Sequence, residues 1–301
     1  MLSLFPQPAQ FPLPEFQSLL VTGPAQASAP IHLALSYALD HPESRPLIIS
    51  PSRTALRDGL ASLNDTWIAS DSRCGSVLNA VSRIDMLYPP TPVHLCMLLS
   101  MLRLPSSEGD DSATCLDPRT TKIGSPGLVI LHEPSLYFTP RQESHTVSSY
   151  TILIAQAFAT IRTFTNQSQP QLVVVFDSRL NDLKLPVAKP QMLDPFAEVQ
   201  EPVEEDPQPL VKYVEPFFDS IAIVGNTDDD DFVPSSQGEE MVFDEQNSVS
   251  KCVEFLRCGE NTPIKVYRWK EVRETPIQGG KEQTRLIVTP VDSIQDTDMV
   301  F

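Results

Sequence analysis

The sequence predicts an α/β fold in which helices cover both faces of a mainly parallel sheet. Short runs of apolar residues recur along the first 180 residues, most are apolar throughout, and helix-like segments separate them. Parallel strands are buried on both faces, and successive parallel strands need a crossover connection. Alternating strands and helices of this kind therefore indicate a layered sheet with crossover helices.

The predicted elements follow one another in order. We expect strands over 18–22, 46–50, 83–88, 127–132 and 171–177, and helices over 30–39, 54–63, 147–164 and from Pro92 onward. Thr91 is placed to cap the helix that starts at Pro92. That helix (PVHLCMLLSML) is apolar on nearly all sides, so we expect it to be buried.

The composition changes after Lys184. Between Asp194 and Glu245 there are 16 acidic residues and one basic residue, which gives −15 of the net charge of −17. Such proline- and acid-rich sequence is typical of disorder. We therefore expect an N-terminal extension (1–17), a core (18–185), a disordered acidic insertion with a core strand near 217–224 (186–250), and C-terminal strands that complete the sheet (251–301). The strands predicted over 264–274 and 284–291 form a hairpin around Gly279-Gly280.

The segment GPAQASAP after the first strand has the frame of a phosphate loop, a turn between a buried strand and a helix. A working loop reads G-x-x-x-x-G-K-[ST], in which the lysine neutralises phosphate and the hydroxyl binds Mg²⁺. With Gly23 at the first position, Ser28, Ala29 and Pro30 replace the second glycine, the lysine and the hydroxyl. A plain strand-to-helix turn explains this stretch equally well.

The second nucleotide motif, Walker B, is an apolar strand that ends in an acid. The strand GLVIL is followed by His132 and then Glu133. Successive strand residues face opposite sides of a sheet, so Glu133 serves only if the strand ends at Leu131 and the chain turns there. We read His132 as a histidine at a strand end, with no metal role.

No other catalytic or metal motif is present in the sequence. The five cysteines and five histidines form no zinc spacing, and there is no G-x-S-x-G or H-E-x-x-H. We therefore expect no cofactor, no metal and no catalytic residue. No apolar run reaches membrane-spanning length, and the proline-broken N-terminus is a poor signal peptide, so a soluble intracellular protein is expected.

Basic residues collect near the C-terminus and are candidates for DNA contact: Lys265, Arg268, Lys270, Arg273, Lys281 and Arg285. Within IKVYRWKEVRE they are interleaved with Tyr267 and Trp269. Such a pattern fits contact with single-stranded nucleic acid. A solvated hairpin with its aromatic side chains packed on the sheet explains the same pattern, and we favour that reading.

The order of these features resembles the RecA-like core of recombinase paralogues over residues 18–180. The segment Ile84-Asp85-Met86-Leu87-Tyr88-Pro89-Pro90 is the most specific part. The chain looks most like the small ATPase-like subunit of the Shu complex, which partners a SWIM zinc-finger protein. The resemblance implies a three-layer RecA-like core, a nuclear heterodimer with such a protein, and assistance to a recombinase or its paralogues in homologous recombination. The chain departs from this family's pattern at both nucleotide motifs.

Three functions follow as hypotheses. The first is a non-catalytic RecA-like subunit of a recombination-accessory complex, acting through protein contacts with weak DNA contact. The second is a RecA-like scaffold subunit of the Elongator tRNA-modification complex. The third is an NTPase with an altered site that uses Glu133 and a lysine from elsewhere; it ranks last because phosphoryl transfer depends on positioned charge and Mg²⁺.

Overall fold

The computed structural model describes residues 1–6, 11–71, 74–102, 126–138, 145–163, 171–187, 208–227, 248–274 and 282–291. Their main feature is one nine-stranded sheet with the strand order β11-β10-β9-β8-β1-β5-β4-β2-β3. The strands are β1 Ser18–Thr22, β2 Pro46–Ile49, β3 Asp85–Leu87, β4 Leu128–His132, β5 Leu172–Asp177, β8 Ser220–Asn226, β9 Ser248–Arg257, β10 Lys265–Glu274 and β11 Gln283–Val291. A separate two-stranded pair joins β6 Lys184–Leu185 and β7 Gln208–Pro209.

The six strands from β8 to β3 run parallel to one another, and β9, β10 and β11 extend the sheet from β8 as an antiparallel meander. The helices are α1 Ala29–Asp40, α2 Arg53–Leu63, α3 Thr66–Ser70, α4 Gly75–Val81, α5 Pro92–Leu102, α6 Val147–Thr163 and α7 Val211–Val214. Helix α1 packs on one sheet face, and α5, α6 and α7 contribute to the core on the other. This confirms the predicted three-layer α/β core with a mainly parallel sheet. No described helix is long and apolar enough to span a membrane.

The C-terminal hairpin is confirmed by the antiparallel pairing of β10 with β11; the predicted turn at Gly279-Gly280 lies outside the described residues. The sequence reading missed β9, which pairs with both β8 and β10. Most of the acidic insertion (188–207 and 228–247) also lies outside the described residues. The core strand predicted near 217–224 is β8, beginning at Ser220.

The N-terminal segment packs into the core beside the meander. Leu4 and Phe5 are almost fully buried. The Phe5 ring lies 5.4 Å from that of Trp269 and 6.3 Å from that of Tyr267, and the Tyr267 hydroxyl donates to the carbonyl of Pro12 at 2.7 Å. Residues 1–6 and 11–17 therefore help to cover one sheet face, because the aromatic side chains of β10 need an apolar partner there.

The expectation that the helix beginning at Pro92 is buried is wrong for one side of the helix. Only Leu95 and Leu99 of α5 are buried, while Val93 and Met97 are 76% and 61% exposed. Helix α5 lies in the outer layer and packs against the sheet and α6, so only one side of it is covered. The cap is confirmed, since the N–H of His94 donates to the Thr91 hydroxyl at 3.3 Å.

Candidate functional site

A cleft of about 290 Å³ opens at the carboxyl ends of β1, β4 and β5. One wall is the turn between β1 and α1, a second is helix α2, and the third is formed by the residues that follow β4 and β5. In open α/β sheets, ligands bind in the crevice outside the carboxyl ends of the strands. Both predicted nucleotide motifs therefore lie in the same cleft.

Gly23 opens the turn after β1 with a φ angle of +87°, which strongly favours glycine. A Cβ atom at this position would lie 2.1 Å from the carbonyl oxygen of Val224 in β8. The close approach of the neighbouring strand β8 therefore accounts for this glycine without any phosphate.

Two backbone N–H groups of the turn are bonded within the turn itself. The N–H of Ala25 donates to the carbonyl of Gly23 at 2.8 Å, and the N–H of Ala29 donates to that of Gln26 at 3.0 Å. The buried Gln26 side chain donates from Nε2 to the carbonyl of Leu4 at 2.8 Å. A phosphate loop turns such N–H groups toward its ligand, whereas here those of Ala25 and Ala29 already have backbone partners.

The side chains at the three replaced positions supply neither a charge nor a free hydroxyl to the cleft. Ser28 is fully buried, and its hydroxyl donates to the Asp65 carboxylate at 2.8 Å. Ala29 is also fully buried and carries no charge. Pro30, in the first turn of α1, has neither an N–H nor a hydroxyl.

Opposite the turn, His132 ends β4 and lines the cleft. Its Nδ1 shares a hydrogen bond of 3.1 Å with the Ser50 hydroxyl. Burial lowers the pKa of His132 to about 4, so the ring is neutral at physiological pH. His132 belongs to no cluster of metal-binding residues, since the described part of the chain contains none.

Glu133 follows directly in the left-handed region, with a φ of 52°. The strand thus runs one residue beyond Leu131, and the chain turns at Glu133, so both His132 and Glu133 reach the cleft. The Glu133 carboxylate accepts hydrogen bonds from the N–H (3.1 Å) and the hydroxyl (2.8 Å) of Ser178. Burial, reinforced by the nearby charge of Asp177, raises the pKa of Glu133 to about 7.

Asp177 is the site residue that the sequence reading missed. It ends β5, and its buried carboxylate accepts from the hydroxyl of Tyr150 (2.7 Å), the N–H of Ser135 (3.0 Å) and the N–H of Arg179 (3.2 Å). Burial raises the pKa of Asp177 although these donors lower it. The signal was an acid that ends the predicted strand QLVVVFD, one strand away from Glu133.

The cleft combines an apolar turn with two carboxylates. Among the described residues that line it, Arg179 carries the single positive charge, opposed by Glu133 and Asp177. A triphosphate brings several negative charges, and carboxylates without matching cations or Mg²⁺ repel it. The described lining thus offers a triphosphate one cation and two carboxylates.

The structure does not bring the candidate DNA-contact residues together on one surface. Side chains alternate along β10, so Arg268 and Lys270 lie on the face opposite Lys265 and Arg273. Arg285 pairs in register with Val272, which places it on the face of Arg268 and Lys270. Lys281 lies outside the described residues.

The interleaved aromatic side chains are buried, as the favoured reading expected. Trp269 is 1% and Tyr267 5% exposed, both packed beneath the N-terminal segment. Lys265 donates to the carbonyl of Pro12 at 3.1 Å. Neither ring is available to stack on a base.

Comparison with known proteins gives only distant structural similarity. No protein-family profile and no curated protein sequence matches the chain. A KaiC-like protein from the hyperthermophilic archaeon Pyrococcus horikoshii OT3 is 8% identical, with a TM-score of 0.41 over 89% of this chain and 88% of that one. A second solved structure, an ATPase domain, is 13% identical, with a TM-score of 0.40 over 84% and 80% of the two chains. At these scores the similarity carries no argument about function.

Proposed function

We propose that this chain is a non-catalytic RecA-like subunit, a recombinase paralogue, that acts as a protein-interaction scaffold in an accessory complex of homologous recombination. The observation that carries the proposal is how the turn between β1 and α1 uses its polar groups. Its N–H groups at Ala25 and Ala29 bond within the turn, and Ser28 is bound to Asp65. The frame builds the parallel sheet, while the nucleotide chemistry is missing.

The partner rests on the resemblance over residues 18–180. A SWIM zinc-finger protein is the expected heterodimer partner in the nucleus, and a recombinase or its paralogues are the proteins that the pair assists. The outer layer of helices offers an acid-free surface for such contacts, since α5 and α6 contain no Asp or Glu and expose Val93, Met97 and Ile152. Exposed apolar side chains grouped in this way mark interaction surfaces.

We assign weak single-stranded DNA contact to Arg268, Lys270 and Arg285, because these cations share one face of the meander. Binding through phosphate contacts weakens steeply with salt. The double variant Arg268→Ala plus Lys270→Ala should reduce binding in a fluorescence-anisotropy titration, and Arg273→Ala on the opposite face is the matched control. Equal losses in both variants, or none in either, contradict this assignment.

The lack of nucleotide binding is tested by calorimetry with ATP and Mg²⁺. We expect no binding heat at micromolar nucleotide, because the described lining of the cleft provides two carboxylates and one cation. Micromolar binding that is lost in Glu133→Ala and kept in Asp58→Ala, an exposed carboxylate on α2, would establish the altered NTPase instead.

The scaffold role is tested by affinity purification of the full-length chain from its native cells. Recovery of a SWIM zinc-finger protein with recombination factors is the expected result. Recovery of Elongator subunits would replace the proposal by the tRNA-modification scaffold. Charged substitutions at Met97 and Ile152 should weaken the recovered contact, whereas Arg57→Glu on exposed α2 should not.

A further inference from the structure

The carboxylate of Asp65 lies buried between α2 and α3, away from the cleft carboxylates. It is only 5% exposed. Its Oδ2 accepts from the Ser28 hydroxyl and from Nε2 of His32, both at 2.8 Å, and its Oδ1 accepts from the N–H of Trp67 at 2.9 Å. Ser28 and His32 are four residues apart, so one turn of helix places both on the same side of α1.

The segment 64–66, which contains Asp65, is also bonded to the edge strand β11. The N–H of Thr284 donates to the carbonyl of Asn64 at 3.0 Å, and the Thr66 hydroxyl donates to the carbonyl of Thr284 at 3.1 Å. Asp65 and Thr284 form a parallel bridge. The segment thus contacts α1 through the Asp65 side chain and β11 through the Asn64 carbonyl and the Thr66 hydroxyl.

The Asp65 carboxylate is buried and accepts hydrogen bonds from three donors. Losing one donor while the carboxylate stays buried would leave part of its charge without a partner. Burial alone raises the pKa of Asp65, but the hydrogen bonds from His32, Ser28 and Trp67 outweigh it and hold the pKa below its usual range. An unpaired buried charge is costly. We therefore expect the hydrogen bonds from Ser28, His32 and Trp67 to Asp65 to break together when this region opens.

We propose that Asp65 is a latch that joins the start of helix α1, and with it the cleft turn, to the C-terminal edge strand β11 as one cooperative unit. Residue 28, the position of the second glycine in a phosphate loop, holds an internal carboxylate. A protein that binds the meander then stabilises the cleft turn, and the effect is reciprocal. The latch requires no particular partner and is independent of the proposed function.

Amide hydrogen exchange of the full chain tests the latch. In Asp65→Asn the exchange rates of Ala29 and His32 on α1, and of Thr284 on β11, should all rise about tenfold or more. Val129 and Val174 at the centre of the sheet should keep their protection. Asp58→Asn, which changes an exposed carboxylate paired with Arg57, is the matched control.

A second pair of variants covers the case in which Asp65→Asn unfolds the protein. His32→Gln keeps a side-chain N–H near the position of Nε2, whereas His32→Ala removes it. Faster exchange of both α1 and Thr284 in His32→Ala, with partial rescue in His32→Gln, supports the latch. Faster exchange in α1 alone, in β11 alone or in neither segment overturns it.

Discussion

Two of the three walls of the cleft, the turn wall and the strand-end wall, differ in how their polar groups are used. On the turn wall, the N–H groups of Ala25 and Ala29 bond inside the protein, and the described residues that line this wall carry no charge. On the strand-end wall, Glu133 and Asp177 lie close together with raised pKa values. The described lining of the turn wall thus offers no charge, whereas the strand-end wall carries two carboxylates.

The turn wall has the strand–turn–helix frame of a phosphate loop without its lysine or its free hydroxyl. A strand–turn–helix unit is needed to build a parallel sheet, whether or not its turn binds phosphate. Gly23 is required by the approach of Val224, and Pro30 fits the first turn of a helix. Both residues retained on the turn wall have a reason in folding.

The largest effect is expected on the turn wall, at Gly23. Gly23→Ala should lower the free energy of unfolding by about 3 kcal/mol or more, because the new methyl group meets the Val224 carbonyl and the φ angle disfavours alanine. Urea denaturation measures the change. Gly75→Ala is the control, since a Cβ there meets nothing within 4 Å. Equal stability of Gly23→Ala and the wild type would remove the structural reason for this glycine.

On the strand-end wall, Glu133→Gln should stabilise the protein at pH 8. The pKa of Glu133 in the folded state, about 7, lies above the ordinary value of 4.5. The contribution of Glu133 to the free energy of unfolding therefore falls as pH rises from about 4.5 to about 7. Above that window the variant should be more stable by about 2 kcal/mol, and at pH 4 it should match the wild type. Exposed Glu260→Gln is the control, and denaturation at both pH values is the measurement. A variant less stable at pH 8 would show that the carboxylate is compensated in the fold.

His132 should act in the opposite direction. The pKa of His132 in the folded state, about 4, lies below the ordinary value of 6.5. Its contribution to the free energy of unfolding is therefore present above pH 6.5 and is lost as pH falls toward 4. The two residues therefore oppose each other between about 4.5 and 6.5, which flattens the wild-type profile.

His132→Asn should remove the loss of stability that His132 causes as pH falls, which is about 1 to 2 kcal/mol across that window. The pH dependence of stability that remains should then be that of Glu133. Thermal melts from pH 4 to 7 measure it, with exposed His94→Asn as the control. An unchanged profile in His132→Asn would contradict the lowered pKa of the ring.

Much of the fold could be predicted from the sequence because local pattern determines it. The apolar runs gave β1, β4 and β5 nearly to the residue, since parallel strands buried on both faces have a continuous apolar signal. Strand β9 (SVSKCVEFLR) follows the acidic segment and mixes polar and apolar residues on a half-covered face, so it was missed. The burial of Phe5 depends on Trp269, more than 260 residues later, and no local pattern contains that contact.

The backbone arrangement of the site was predicted from the sequence, but the hydrogen-bond partners and the pKa shifts of its side chains were not. Gly23, Pro30 and Glu133 could be placed because strand ends meet at one edge of a parallel sheet. The pairing of Ser28 with Asp65 joins residues separated by 37 positions, and its geometry is set by how α2 and α3 pack. Asp177 ended a predicted strand, but its effect on Glu133 depends on the distance between two neighbouring strand ends.

The smallest effect is expected at Tyr150, which ties the strand-end wall to α6. Its hydroxyl donates to Asp177 at 2.7 Å, and Tyr150→Phe should cost about 1 kcal/mol, because the N–H groups of Ser135 and Arg179 still bind the carboxylate. Tyr37→Phe, whose hydroxyl makes only a 3.3 Å contact with Ser44, is the control and should cost less.

The same Tyr150 variant separates the two causes that raise the pKa of Glu133. Without the hydroxyl, Asp177 holds its proton more tightly and repels a charged Glu133 less. The titration midpoint of Glu133, followed by carbon NMR of its carboxyl group, should then fall below about 7 by a few tenths of a unit. An unchanged midpoint would contradict this coupling, because it would show that the Tyr150 hydroxyl does not control the Asp177 charge that acts on Glu133.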